Sequence, residues 1–174
     1  MSEHTSSPSP SLATVYQGWD RFQRDLLKAV APLSIEQLAL PVAPTHWPIG
    51  MLVQHILNDR LWWFHLWMDE ATPEEASFMH WEEEEEGKSV HTTAELVAGL
   101  EATWAMIQRS LARWTVADLG YVFDPPATLT ERERNIFGPS TRQEILFHVL
   151  RHDMHHGGEL AVGMGTYHLP TIWG

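Results

Sequence analysis

The sequence predicts an all-α fold, a four-helix bundle, on three observations. Four stretches repeat apolar residues at three- and four-residue steps, the period of a helix with one buried face. Each stretch opens on a proline or hydroxyl residue suited to begin a helix. No internal repeat and no linker composition divides the chain of 174 residues. Helices of about 20 residues, roughly 30 Å long, fit such a bundle.

The first helix starts at Ser9-Pro10-Ser11, because proline lacks only an N–H that would be unpaired there anyway. Its stripe is Leu12, Val15, Trp19, Phe22, Leu26 and Val30, and it stops near Pro32. Ser34-Ile35-Glu36-Gln37 reads as a capping box opening a short turn. The second helix starts near Trp47-Pro48 and carries Leu52, His55, Ile56, Asp59, Trp62, Trp63 and Leu66. Past Leu61 it is apolar on nearly every side, which requires burial on several faces or a subunit interface. The third starts at the capping box Thr92-Thr93-Ala94-Glu95, with Leu96, Leu100, Trp104, Ile107, Leu111 and Trp114 as its stripe. The fourth starts at Pro139-Ser140-Thr141 and ends at Gly163 or Gly165. In the long connections, Tyr121-Val122-Phe123 and Asn135-Ile136-Phe137 read as extended. Residues 1–10 read as a disordered tail and 11–174 as one helical domain.

Composition narrows the function. Hydrophobic residues are 44% of the chain, enough for a full core. No apolar run is long enough to span a bilayer, and the N-terminus lacks the order of a signal peptide, so the expected location is the cytoplasm. The formal charge of -12 argues against nucleic acid. Asp69, Glu70, Glu74, Glu75 and Glu82 to Glu86 concentrate the acid in what reads as a solvated loop. With no cysteine, thiolate ligands are excluded, and a transition-metal site must use His, Asp, Glu and water.

Four of the 11 histidines lie between residues 148 and 156. His148, His152 and His156 repeat every four residues and stack on one helical face, with His155 and Glu159 beside them. Two imidazoles at that spacing can converge on one ion, and a third donor must come from elsewhere. His55, on the core side of the second helix, is the best candidate, with Asp59 one turn further on. Spacing alone does not choose between the pairs His148/His152 and His152/His156.

These residues resemble the DinB/YfiT-like superfamily of small metal-binding bundles. His46-Trp47-Pro48-Ile49-Gly50-Met51-Leu52-Val53-Gln54-His55 is similar to its W-S-x-G-x-x-x-x-H element. Thr141 through Gly158 is similar to its R-x-E-L-L-x-H-x-x-x-H-x-x-H-H-R-G-Q element. The resemblance runs from Leu12 to Leu169. It implies a DinB-like four-helix bundle with His55, His152 and His156 as metal ligands, and His148 and His155 as neighbours. It implies one divalent transition metal (zinc, nickel, iron or manganese), a homodimer, and in some relatives a low-molecular-weight thiol as cosubstrate. Two departures stand out: Pro48 replaces the serine, and Gly157-Gly158-Glu159 stands where Arg-Gly-Gln is common.

Three neutral imidazoles leave a coordination position open, the layout of a catalytic site. Asp59, Glu159 and His148 are the candidate acid–base groups. Trp62, Trp63, Phe147 and Met154 are candidate apolar walls. The leading expectation is a metal-dependent enzyme of the thiol S-transferase or isomerase type acting on a small molecule. A metal-dependent hydrolase and a non-catalytic metal- or ligand-binding bundle are the alternatives.

Overall fold

A computed structural model describes residues 9–79 and 91–173. The run Glu82 to Glu86 and most of the expected N-terminal tail lie outside the described residues.

The first helix forms in two pieces, α1 (Leu12–Val15) and α2 (Gln17–Val30), interrupted at Tyr16. The Leu12 N–H bonds to Trp114 O at 2.7 Å, tying this end to the far end of the third long helix. The break turns Val15 outward, 61% exposed, whereas Leu12, Trp19, Phe22, Leu26 and Val30 are buried as their spacing predicts. α3 (Ile35–Leu38) opens on the predicted capping box, with Ser34 and Gln37 bonding reciprocally.

α4 (Ile49–Leu61) follows Pro48, whose φ of −59 suits a helix entry. The helix continues to Trp67, but as a π-helix over Trp62–Trp67. Trp63, Phe64, Trp67 and Met68 are all buried there, so the apolar surplus is taken up within the fold. Asp69 ends the segment at φ 53, with its N–H on His65 O at 3.0 Å and that of Glu70 on Phe64 O at 2.9 Å.

The following acidic segment departs from a solvated loop. α5 (Pro73–Ala76) is capped by Thr72 and places Glu75 in the protein, where Arg109 grips both carboxylate oxygens at 2.8 and 2.9 Å. Glu70 pairs with Arg113 and accepts from Ser110 Oγ at 3.0 Å. Both acids clamp α6 (Thr93–Arg113), which forms from its capping box and buries its whole predicted stripe.

A 3₁₀ turn (Val116–Gly120) leads to β1 (Val122–Phe123), which pairs antiparallel with β2 (Ser140–Thr141). The second expected extended stretch is instead the end of a helix, α7 (Glu131–Ile136). The capping box of Thr130 with Glu133 outweighs the strand preference of three residues. α8 (Arg142–Thr166) starts from Thr141 and runs through both glycines proposed as its end. Gly163 is needed for contact rather than for stopping: a Cβ there would lie 2.7 Å from the Val42 backbone. α4 packs against both α6 and α8.

Candidate metal centre

Behind the histidines lies a closed polar network that joins all four long helices. Arg60 of α4 and Asp153 of α8 form an ion pair at 2.7 Å with neither side chain exposed. Asp153 also accepts from Trp19 Nε1 of α2 at 2.7 Å. Arg60 donates to Gln23 Oε1 at 2.8 Å, and Gln23 reaches Leu100 O of α6 at 3.0 Å. Full pairing is what makes such buried charge tolerable. The network fixes α4 against α8 at the level of the cluster, because Arg60 follows Asp59 and Asp153 follows His152.

α4 and α8 run antiparallel here. His55 faces His152 and His156, with ring centroids 4.7 and 4.8 Å away, and His152 and His156 are 4.3 Å apart. The Nε2 atoms of His55 and His152 stand 3.0 Å apart. One ligand atom from each of the three lies within 4.8 Å of the others. Two nitrogens held about 2.0–2.1 Å from one ion stand roughly 3.0–3.4 Å apart, the separation that His55 and His152 already show. His148, one turn earlier on α8, is 6.0 Å from His152 by ring centroid and faces Asp59 and Trp63 instead.

The carboxylates sit behind the imidazoles. Glu159 Oε2 is 2.6 Å from His156 Nδ1, which leaves that ring's Nε2 as a lone pair. Asp59 Oδ2 is 3.4 Å from His152 Nδ1 and Oδ1 is 3.4 Å from His148 Nε2. Arg151 donates to His148 Nδ1 at 3.3 Å, so His148 presents its Nε2–H to Asp59. Asp59, Glu159 and His148 are thus arranged around the ligand candidates.

Electrostatics favours the neutral form of His55 and His152. Burial and the nearby His156 hold His55 below its ordinary range, against the pull of Asp59 and Glu159. His152 is pushed down to about 2 by burial and then by its neighbours His156, His55, His148 and His155. Burial raises Asp59, with His148 opposing. Burial would also raise Glu159, but the hydrogen bond and charge of His156, with His155 and His46, leave it lowered. Neutral rings are the form that binds metal.

The expected walls divide. Trp63 packs on His148 at 4.8 Å, Trp62 packs on Trp63 and Phe137, and Met154 is half-buried. Phe147 is no wall: it is 65% exposed on the outer face of α8. Trp47 meets the His55 ring edge-on at 4.9 Å. Arg60, Asp153 and Gln23 were missed by sequence reasoning, although the first two occupy apolar slots, Arg60 four residues after Ile56 and Asp153 four after Val149. A charge in a core slot is the signal that would have found them.

A family model of the DinB superfamily matches residues 19–160. The chain belongs to the DinB superfamily. Its fold is similar to the crystal structure of a DinB-like protein from Bacillus cereus ATCC 10987, with a TM-score of 0.64 and 19% identity, over 93% of this chain and 96% of that one. No curated protein matches the chain. Within this DinB-superfamily chain, the departure at Gly157 has a steric reason: a Cβ there would lie 2.5 Å from the Phe22 ring. Position 157 faces Phe22 and Ile172, toward α2. Among the described residues, no helix is long and apolar enough to cross a membrane.

Proposed function

We propose that this DinB-superfamily chain is a metal-dependent enzyme in which His55, His152 and His156 hold one divalent transition metal, with a low-molecular-weight thiol as cosubstrate. The supporting observation is the 3.0 Å approach of the His55 and His152 Nε2 atoms, from two helices, with His156 beside them. Zinc, nickel and iron suit three imidazole donors, whereas manganese favours oxygen ligands. A divalent ion bound there supplies the Lewis acidity that brings the acidity of a water or thiol toward neutral pH.

The protein's own groups do the rest. Glu159 orients His156 through its Nδ1 atom, and Asp59 Oδ2 stands 3.4 Å from His152 Nδ1. The chain Arg151–His148–Asp59 can hold a proton beside the cluster, at Asp59 Oδ1 or His148 Nε2. The absence of cysteine means that the thiol comes from a second substrate.

Elemental analysis of protein purified without a nickel column and dialysed tests the metal. About one ion per chain is expected to survive dialysis, and none to survive it in His55→Ala/His152→Ala. No metal in either after incubation with zinc, nickel or manganese would overturn the reading. Consumption of thiol with an electrophile supports the transferase. Turnover of activated esters without thiol would make it a hydrolase. A lower melting temperature on metal removal with neither activity would make it a binding bundle.

A further inference from the structure

Glu159 faces two imidazoles. Its Oε2 is 2.6 Å from His156 Nδ1, and its Oε1 is 3.5 Å from His155 Nε2. The two rings are 4.8 Å apart at 67°. One ligand atom from each of the three groups lies within 4.8 Å of the others, so a second trio adjoins the first. It opens outward: the His155 side chain is 65% exposed, against 14% for His156. A separation of 3.5 Å is close to the roughly 3.3–3.5 Å between donors held about 2.0–2.2 Å from one ion. The 2.6 Å between Glu159 Oε2 and His156 Nδ1 is a hydrogen-bond separation, which an ion entering between the two groups would widen.

We propose that His155, His156 and Glu159 form a second, solvent-facing site for a divalent transition-metal ion, in competition with the inner cluster for His156. A neutral imidazole has one lone pair and one N–H. For the inner cluster, the Nδ1–H of His156 points at Glu159 and Nε2 carries the lone pair. An ion between Glu159 and His155 needs the lone pair on Nδ1, and the proton then moves to Nε2. The ring therefore serves one site at a time. With the inner cluster filled, the outer site keeps only His155 and Glu159 and binds weakly. With the inner cluster removed, His156 is released and the outer site tightens. An unrelated surface site would show no such coupling.

Zinc titration of the full metal-free chain, by calorimetry with equilibrium dialysis, tests this. The wild type is expected to bind a weak second equivalent that His155→Ala loses while keeping the first. His55→Ala/His152→Ala is expected to bind one zinc, at least about tenfold more tightly than the wild type's second, as gain of an imidazole donor requires. Adding His155→Ala to that variant abolishes it. A second equivalent surviving His155→Ala, or equal affinity in the two backgrounds, overturns the proposal. Should the double variant fail to fold by circular dichroism, the comparison of wild type with His155→Ala decides. A single weak zinc that depends on His155 and not on His55 would sink the inner cluster and, with it, the competition for His156.

Discussion

Asp153→Asn is the most direct probe of the network that holds the histidines in place. The carboxylate accepts from Trp19 Nε1 at 2.7 Å, from Arg60 Nη2 at 2.7 Å and from Arg60 Nε at 3.1 Å, with both charged side chains fully buried. Asparagine keeps the shape and one acceptor but loses the charge. Arg60 is left with Gln23 Oε1 and the single amide oxygen as acceptors, and with no counter-charge. An uncompensated buried charge costs about 3–5 kcal/mol, and an unpaired Trp19 N–H about 1–3 kcal/mol more if the amide turns its NH₂ that way. The expected loss is about 3–5 kcal/mol, a large part of the roughly 5–15 kcal/mol typical of a domain. Urea denaturation followed by tryptophan fluorescence and circular dichroism measures it. Arg60→Met/Asp153→Leu removes both charges and leaves only neutral groups unpaired, so it should cost about 1–3 kcal/mol, less than the single substitution. A loss below about 1 kcal/mol for Asp153→Asn, or a double variant worse than the single, would refute the reasoning.

In the metal-free protein, His55 and His152 bind protons less readily folded than unfolded, so their stabilisation is present above the ordinary value of 6.5 and is lost as pH falls below it. Asp59, raised from 3.8, acts in the opposite sense, withdrawing stability as pH rises above that value. Urea midpoints from pH 7.5 to 4.5 should therefore fall less for His152→Ala than for the wild type, and equal slopes would count against burial as the cause. Gly158→Ala, with nothing within 4 Å of its Cβ, should stabilise by about 0.5–1 kcal/mol, whereas Gly163→Ala, against the Val42 backbone, should destabilise by about 1–3 kcal/mol in thermal melts. Glu75→Ala should cost about 1–2 kcal/mol by urea denaturation, because it removes both arginine bonds and half of the capping box, where a solvated glutamate would cost less than about 0.5 kcal/mol.

What was legible in the sequence was local. α6 could be written down from Thr92, Glu95 and six apolar residues, because its cap and its stripe need no knowledge of the rest of the chain. The histidine ladder was legible for the same reason, a helix period carrying one residue type. Family membership was legible from the segments around His55 and His148 to Gly158. The choice among the ladder's rungs was not legible from spacing, since it depends on which turn of α8 stands opposite α4. Asp59 takes the place opposite His148, and that leaves His152 and His156 to His55. Glu70 and Glu75 were misread because their partners, Arg109 and Arg113, lie more than 30 residues away, beyond the reach of charge patterning. Val15 was misread because the stripe assumed an unbroken helix through Tyr16, and Asn135-Ile136-Phe137 because three apolar-rich residues were given more weight than a cap five residues before them.

The π-helical turns at Trp62–Trp67 also affect how the chain is counted. An i→i+5 bond encloses one residue more per turn than the usual i→i+4. A residue-by-residue alignment that assumes uniform helix from Ile49 to Met68 therefore slips by about one position beyond Leu61, a rotation of roughly 100°. The histidine at 55 and the aspartate at 59 keep their angular relation to any relative with an ordinary helix. Trp63 does not, so the residue that meets the His148 ring in such a relative occupies a different number in its sequence.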